Sequence, residues 1–284
     1  MRVFTGRRKR SAPGVQPTDS DYPSYMLSQK HLTRLQTELA ETAYRFLVSE
    51  PIGHEPPREE DVRRLVEDFF ELYPARPVLD NAGGSRFHAC FWLYLMARRL
   101  DPRLIVESGT WKGQTAWLFR QACPAAAVHC FDPNLTRLVY RDRSIQYHER
   151  DWAGWEFESV DPEKSLCFFD DHIDQSKRIR EAGAKGFRRL LFDDAPPAHK
   201  VYSFGYPGLP TVGMLMDPRV EDGEVFEWTW RGEHHRWVFS EADAAPARSL
   251  ISRYALFPDV AGPTRYGGQA FLSYVLLRAA EPAH

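Results

Sequence analysis

In the stretch Ile105-Val-Glu-Ser-Gly-Thr-Trp-Lys-Gly-Gln-Thr115, an apolar run passes through a glycine turn into a helical pattern, which is typical of a strand–turn–helix unit. Glycine lets a backbone turn tightly and approach a ligand, and the start of the following helix presents unpaired amide groups. The next apolar run, 127–131, ends at Asp132. Open parallel sheets place a carboxylate there against the ribose hydroxyls of a nucleotide. The pattern predicts a nucleotide-type cofactor site, and the alternative is a turn that serves only helix–strand packing.

Strand-like and helix-like segments alternate on both sides of this turn. The predicted strands are 103–106, 127–131, 144–147, 165–169 and 187–192. Helical patterns cover 114–122 and 175–184, between successive strands. Strands that alternate with helix-length spacers indicate a mostly parallel sheet with right-handed crossovers, and therefore an α/β fold.

The first part of the chain differs from this pattern. Residues 1–27 are predicted to be a flexible basic arm, because prolines interrupt a polar sequence that contains Arg7-Arg-Lys-Arg10. Residues 28–84 are predicted to form an N-terminal helical segment with two helices. Ser85 is expected to cap a third helix, which runs from about 86 to 99.

Residues 85–284 are predicted to form one α/β domain with helices on both faces of its sheet. A helix over 244–254 and a strand over 271–277 close this domain. The segment 195–240 is rich in proline, glycine and aromatic residues. It is predicted to be an insertion over the active site, since it lacks the pattern of a regular strand–helix unit.

Composition argues against several classes of partner. The 37 lysines and arginines are offset by 39 aspartates and glutamates, so no global field favours nucleic acid. No apolar run approaches the roughly 18 residues of a membrane span, and the arginine-rich start lacks the apolar stretch of a signal peptide. The cysteines lack C-x-x-C spacing, which indicates free buried thiols in a cytoplasmic protein. They are Cys90, Cys123, Cys130 and Cys167.

Two acidic groups follow neighbouring predicted strands. Asp170-Asp171-His172 comes after the strand 165–169, and Asp193-Asp194 comes after the strand 187–192. Carboxylates gathered at the carboxyl ends of strands cannot all lose water and stay charged without a cation or a proton. The alternative is that one acid of each group caps the following helix and the other is solvated. The pattern favours a hard-cation site beside the cofactor site.

The residues around the glycine turn resemble the first motif of class I S-adenosylmethionine-dependent methyltransferases. The resemblance is closest to the subset that reads "apolar, Glu, x, Gly, Thr, x, x, Gly", and it covers about residues 85–195. Dinucleotide oxidoreductases prefer GxGxxG, whereas Thr110 and Trp111 stand here in place of that close glycine spacing. The resemblance implies a Rossmann-like methyltransferase sheet and S-adenosyl-L-methionine as the cofactor.

The resemblance also implies roles for individual residues. The backbone from Gly109 to Gly113 would hold the methionine part, Asp132 would bind the ribose, and Asp151 would lie near the adenine. The complete implied set of cofactor-binding residues is Glu107, Ser108, Gly109, Thr110, Gly113, Thr115, Asp132 and Asp151.

Within these methyltransferases, the acidic groups are similar to those of the metal-dependent O-methyltransferases of the catechol type. They are nearer still to the macrocin type, which modifies sugar hydroxyls. The implied ligands of Mg²⁺, or of another hard divalent cation, are Asp170, Asp193 and Asp194. His172 is the implied catalytic base, with Asp170 beside it. The Asp-Asp-His spacing is shorter than the usual Asp-x-x-His, so the choice between Asp170 and Asp171 stays open.

Three functions follow as hypotheses. The first is an O-methyltransferase that uses a divalent cation and acts on a hydroxyl of a sugar or glycosylated small molecule. The second is a metal-independent methyltransferase in which the acids act as bases or hydrogen-bond acceptors. The third is a non-catalytic cofactor-binding protein on the same fold. The sequence does not fix the oligomeric state, and a homo-oligomer is one alternative.

Overall fold

The computed structural model describes residues 28–53, 55–203, 208–230, 232–264 and 270–279. The predicted arm, 1–27, lies outside the described residues. The α-helices are α1 (Gln29–Ser49), α2 (Glu59–Leu72), α3 (Phe87–Leu100), α4 (Gln114–Ala122), α5 (Gln175–Ala184), α6 (Val212–Leu215), α7 (Glu241–Leu250) and α8 (Ala261–Thr264). The strands are β1 (Leu104–Ser108), β2 (Ala127–Phe131), β3 (Ile145–His148), β4 (Ser165–Phe169), β5 (Arg189–Phe192), β6 (Val225–Trp230), β7 (Glu233–Val238), β8 (Ile251–Leu256) and β9 (Ser273–Leu277).

The main sheet has seven strands in the order β3-β2-β1-β4-β5-β9-β8. The first five strands in this order pair in parallel, whereas β9 is antiparallel to both β5 and β8. The order reverses between β1 and β4, which is where open α/β sheets bind their ligands. The structure confirms the predicted mostly parallel, Rossmann-like sheet.

Both faces of the sheet are covered by helices, because the strand residues alternate between two hydrophobic clusters. On one face, Ile105 and Phe168 pack with residues of α1 to α4. On the other face, Val106 and Cys167 pack with residues of α5 and α7. The prediction of helices on both faces is confirmed.

The N-terminal helices share the core of the first face. Leu39 of α1 and Phe69 of α2 are buried in the same cluster as Phe91 of α3 and Ile105 of β1. The α1 helix begins where the sequence predicted, with the Ser28 hydroxyl accepting a hydrogen bond from the His31 amide at 3.4 Å. The segment 28–84 therefore packs directly against the sheet unit, which is the main sheet with the helices of residues 85–284.

Two predictions of local structure are wrong. Ser85 does not cap α3, whose N-cap is Arg86 without a side-chain hydrogen bond, because the Ser85 hydroxyl bonds to carboxylates instead. The predicted helix 244–254 ends at Leu250, and residues 251–254 belong to β8. β8 pairs with β9, and this long-range antiparallel ladder outweighs the local helical pattern.

The segment 195–240 has its own structure. It contains α6 and a two-stranded antiparallel hairpin of β6 and β7, in which Trp228 pairs with His235. The cysteines are free and buried, as predicted. None of the helices in the described ranges combines the length and the apolar character that a membrane span requires.

Candidate functional site

The glycine turn and the two predicted acidic groups meet at the carboxyl ends of β1, β4 and β5. The ladder continues past the strands, since the Asp170 amide donates to the Ser108 carbonyl at 2.8 Å. The Asp193 amide donates to the Phe169 carbonyl at 3.0 Å. These bonds place both acidic groups beside the glycine turn, at the point where the strand order reverses.

Asp132 closes the glycine turn. Its carboxylate accepts hydrogen bonds from the Trp111 amide and the Asn134 amide, both at 2.8 Å. Trp111 has a positive φ of 45°, so the turn is tight at a residue that disfavours this backbone conformation. Asp132 thus lies where the sequence predicted, and its observed contacts fix the turn itself.

Gly109 brings the turn against the loop after β4. Its φ is +96°, and a Cβ atom there would collide with the Asp170 carbonyl oxygen and lie 2.8 Å from the Asp171 nitrogen. Only glycine fits this close approach. The observed neighbour of Gly109 is therefore the backbone of the acidic group, which couples the candidate cofactor turn to the candidate cation site.

Three predicted cofactor residues have their side chains beneath the turn. Glu107, Thr110 and Thr115 are buried. The Thr115 hydroxyl donates to Glu107 Oε1, and the Thr110 hydroxyl donates to the Phe131 carbonyl at 3.4 Å. Burial raises the pKa of Glu107 to about 7, because its charged form loses water. The side chains of this set support the turn from the core side.

Arg178 of α5 binds two acids of the predicted site. Its guanidinium contacts both oxygens of Asp151, at 3.1 and 3.0 Å, and Asp171 Oδ2 at 2.8 Å. The Ser108 hydroxyl donates to the same Asp171 oxygen at 2.5 Å. Asp171 also accepts from the Ile173 amide at 3.1 Å, which shapes the loop after β4. The carboxylates of Asp151 and Asp171 are thereby occupied by Arg178, and Asp170 is the acid of its pair left for a cation.

Asp170, His172 and Asp194 bring their ligand atoms within 4.8 Å of one another. His172 Nδ1 lies 3.4 Å from Asp194 Oδ2, and the His172 backbone is left-handed with φ 56°. Asp193 lies next to this trio, but its Oδ2 accepts from the Ser85 hydroxyl at 3.0 Å. Ser85 also contacts Asp170 Oδ2 at 3.3 Å. The structure thus brings together two of the three predicted ligands and adds the predicted base to them.

The electrostatics of this cluster suit a cation. Burial and the neighbouring Asp193 and Asp194 carboxylates raise the pKa of Asp170. Burial and Asp193 raise the pKa of Asp194 to about 7. Burial also raises the pKa of Asp193. Converging carboxylates with raised pKa values bind either protons or a hard cation, and carboxylate oxygens are the donors that such a cation prefers.

Residues 80–85 were predicted as a loop from the sequence, but they were not assigned to the site, of which they form the other wall. Lys112 Nζ donates to the Asp80 carbonyl at 2.5 Å. A Cβ atom on Gly84 would lie 2.7 Å from the Trp111 ring, so the loop packs tightly on the glycine turn. Asn81 and Gln114 line the recess between the loop and the turn. The glycine pair Gly83-Gly84 was the one local signal of this close packing.

The chain matches no family model and no curated protein. Among solved structures, cmcI with Mg-SAM shares 19% identity at a TM-score of 0.34, over 43% of this chain and 59% of that chain. A second cmcI structure, with SAH, is covered over 64% of its length, so this chain spans less than two thirds of either.

Two further solved structures are matched over more of their length. The SAH-bound methyltransferase PaMTH1 of Podospora anserina shares 14% identity at a TM-score of 0.38, over 85% of this chain and 96% of that chain. The O-methyltransferase TomG of Streptomyces achromogenes, in complex with SAM, shares 14% identity at a TM-score of 0.41, over 85% and 99%.

Proposed function

We propose that this protein is an S-adenosylmethionine-dependent O-methyltransferase assisted by a divalent cation. The observation that carries the proposal is the convergence of Asp170, His172 and Asp194 beside the glycine turn. Gly109 packs against the backbone of Asp170, so the two parts of the site lie in contact. A transfer of a group from cofactor to acceptor is mainly a positioning problem, and it needs this proximity.

The cofactor would bind at the glycine turn. The backbone from Gly109 to Gly113 would hold the methionine part, and Asp132 would bind the ribose. S-adenosylmethionine supplies an activated methyl group on a sulfonium ion. The recess beside the turn contains buried side-chain amide atoms without hydrogen-bond partners among the described residues, which supports a polar ligand there. Asp151 would remain near the adenine with its carboxylate held by Arg178.

Asp170 and Asp194 would hold the cation, with Asp193 as the third acid of the set. A divalent cation at this position supplies Lewis acidity toward an acceptor hydroxyl. His172 is exposed to solvent on the side of Asp194, so its imidazole is placed to take the proton of that hydroxyl. The Ser85 hydroxyl would orient the Asp170 and Asp193 carboxylates.

We further propose a hydroxyl of a sugar or a glycosylated small molecule as the acceptor. This part rests on the resemblance of the acidic groups to the macrocin type. The hairpin of β6 and β7 places aromatic residues in the segment predicted to cover the site, including the pair Trp228 and His235, whose rings stack at 5.1 Å.

Calorimetry with S-adenosylhomocysteine, followed by methyl-transfer assays with a broad acceptor screen, tests the proposal. We expect binding and a turnover that rises with Mg²⁺ and falls with EDTA. Asp194→Asn should weaken Mg²⁺ binding and turnover together and leave cofactor affinity nearly unchanged. Glu156→Gln is the matched control, since this acid is 89% exposed and pairs only at the surface.

The alternatives give different results. Turnover that EDTA does not change would favour a metal-independent methyltransferase. Binding of S-adenosylhomocysteine without turnover of any acceptor would favour a non-catalytic cofactor-binding protein. An absence of S-adenosylhomocysteine binding would overturn the cofactor assignment itself.

A further inference from the structure

The recess between the loop 80–85 and the glycine turn contains three buried side-chain amide atoms that have no hydrogen-bond partner among the described residues. Gln114 is 3% exposed and Asn81 is 6% exposed. Within the described part of the chain, Asn81 Oδ1 and both polar atoms of the Gln114 side chain have no hydrogen-bond partner. Buried polar atoms in native proteins are nearly always satisfied, so three such atoms at one recess indicate a missing ligand.

The orientation of Asn81 is fixed by the protein. Its Nδ2 donates to the Ser85 carbonyl at 2.7 Å, which leaves Oδ1 as an acceptor without a donor among the described residues. Gln114 carries both a donor and an acceptor, and it is the first residue of α4. The recess therefore offers hydrogen-bond donors and acceptors together.

The surroundings of the recess also favour both signs of charge. The first turn of α4 presents backbone amides, and a helix start favours an anionic group. Asp170 lines the recess together with Asn81, and its carboxylate favours a cationic group. A ligand with one carboxylate and one ammonium group a short distance apart matches this combination. Ribose is placed elsewhere, at Asp132, and a nucleobase lacks the two opposite charges.

We propose that Asn81 and Gln114 recognise the α-amino-carboxylate end of the cofactor. Asn81 Oδ1 accepts from the ammonium group, and Gln114 Nε2 donates to the carboxylate together with the first amides of α4. The proposal rests on the proposed function, and it adds two recognition residues that lie outside the predicted site. The packing of Trp111 on Gly84 and the Lys112–Asp80 bond hold this wall in place without the ligand.

Calorimetry with two related ligands tests the proposal on the full chain. S-adenosylhomocysteine carries the amino-acid end, and 5′-methylthioadenosine has the same nucleoside thioether without it. Gln114→Met keeps the size of the side chain and removes its polar atoms. We expect this variant to lose about tenfold in affinity for S-adenosylhomocysteine, equivalent to about 1.4 kcal/mol. Its affinity for 5′-methylthioadenosine should stay within about twofold.

Thermal unfolding without ligand gives a second readout. Replacing a buried amide that has no partner by an apolar group of similar shape removes a desolvation cost. Gln114→Met should therefore keep or raise the melting temperature. A purely structural glutamine would give the opposite result. Gln146→Met is the matched control, because Gln146 is an exposed glutamine on β3 and should change neither affinity. Asn81→Leu tests the residue on the opposite side of the recess by the same comparison of affinities for the two ligands.

Four results would overturn the proposal. Equal losses of affinity for both ligands, no loss for S-adenosylhomocysteine, or a lowered melting temperature of Gln114→Met would each exclude the assigned recognition. Free methionine binding as tightly as S-adenosylhomocysteine would reassign the recess to free amino acids. Wild-type protein that binds neither nucleoside ligand would instead overturn the proposed function, so the two failures are distinguishable.

Discussion

Buried carboxyl groups set the chemistry of this site at the scale of single residues. Glu107, Asp170 and Asp193 lie next to one another at the ends of adjacent strands, and burial raises the pKa of each. None of them has a cationic side chain as a hydrogen-bonding partner among the described residues, whereas Asp171 is paired with Arg178. The cluster therefore takes up protons near neutrality unless a cation compensates its charge.

Glu107 allows a test of this picture away from the proposed cation ligands. Its pKa is raised from 4.5 to about 7, so its contribution to stability is greatest below pH 4.5 and is lost as pH rises through 7. At pH 8 the ionisation of buried Glu107 lowers the free energy of unfolding by about 3 kcal/mol. Glu107→Gln removes this titration. The free energy of unfolding of the variant minus that of the wild type, measured in urea, should become more positive between pH 5 and pH 8.

The Glu156→Gln variant is the control for the loss of one carboxyl group, because this side chain is 89% exposed, and its free energy of unfolding should stay close to that of the wild type. A difference between Glu107→Gln and the wild type that is the same at pH 5 and pH 8 would mean that Glu107 titrates like a solvated acid.

Gly109 provides a second test at the same scale. Gly109→Ala should lower the free energy of unfolding by more than the roughly 1–3 kcal/mol of backbone strain, because the new Cβ also collides with the Asp170 carbonyl. Gly223→Ala is the matched control. Gly223 has a φ of +78°, and a Cβ there meets nothing within 4 Å. Equal losses in the two variants, measured by urea unfolding, would argue against the close packing on Asp170.

Some of these residues were predictable from sequence, and others were not. Asp170 and Asp194 were predicted to converge because each follows one of two adjacent parallel strands, and this depends only on topology. The pairing of Asp171 with Arg178 depends on how α5 returns over the sheet. Asn81 lies outside the motif and Gln114 is not one of the positions that define it, so the missing partners of their amide atoms among the described residues are visible only in the structure.

At the scale of elements, α5 organises the strand ends. Arg178 is 2% exposed and joins Asp151 after β3 to Asp171 after β4, while Ser108 at the end of β1 donates to Asp171. It also contacts Glu181 on its own helix at 2.7 Å. One guanidinium thereby joins two strand ends directly, which is a use of its planar donor geometry that lysine does not reproduce, and the Ser108 hydroxyl links a third strand end to the same carboxylate.

Arg178→Met should therefore cost about 3–5 kcal/mol of stability, because it leaves partly buried carboxylates without a partner. Lys177→Met on the same helix is the control. Lys177 forms only an exposed pair with Glu181 at 3.8 Å, and its loss should cost at most about 1 kcal/mol. Chemical denaturation of both variants at pH 7 measures the difference. Similar small costs would show that the carboxylates are stabilised by solvent.

The elements also show which parts of the fold can be predicted from local sequence. The bounds of α4, β4 and α5 agree with the predicted ranges, because glycines mark the start of α4 and the end of α5, and charged residues flank the apolar run of β4. Residues 251–254 of β8 were predicted as part of a helix. Their pairing with β9, some twenty residues later, cannot be read from the local sequence pattern. Edge strands that pair over long distances depend on the assembled sheet.

At the scale of the whole molecule, one hydrophobic cluster spans the N-terminal helices and the sheet. Phe69 of α2 is buried and contacts rings of Phe87, Phe91 and Tyr94 on or at the start of α3, with centroids 5.4 to 5.6 Å apart. The α3 helix in turn packs in the cluster that contains Ile105 of β1. This arrangement couples the segment 28–84 to the part of the chain that carries the site.

We therefore expect Phe69→Ala to lower the free energy of unfolding of the whole molecule by about 3–5 kcal/mol, through the cavity left in the aromatic cluster. All 8 tryptophans lie beyond residue 85, so tryptophan fluorescence reports mainly on the sheet and its own helices, although Trp92 also packs on Phe46 of α1 with ring centroids 5.4 Å apart. Far-UV circular dichroism reports on every helix. If the core is shared, the variant's midpoints in urea shift together in both signals.

Val48→Ala on α1 is the control for this experiment, since Val48 is 55% exposed and its loss should leave both midpoints within error. A fluorescence midpoint that stays at its wild-type value, while circular dichroism shows an earlier separate transition in Phe69→Ala, would mean that the N-terminal helices unfold on their own. In that case the loop 80–85, with Asn81 and Ser85, would be held by the sheet unit through Lys112 and Trp111 and not by the helices before it.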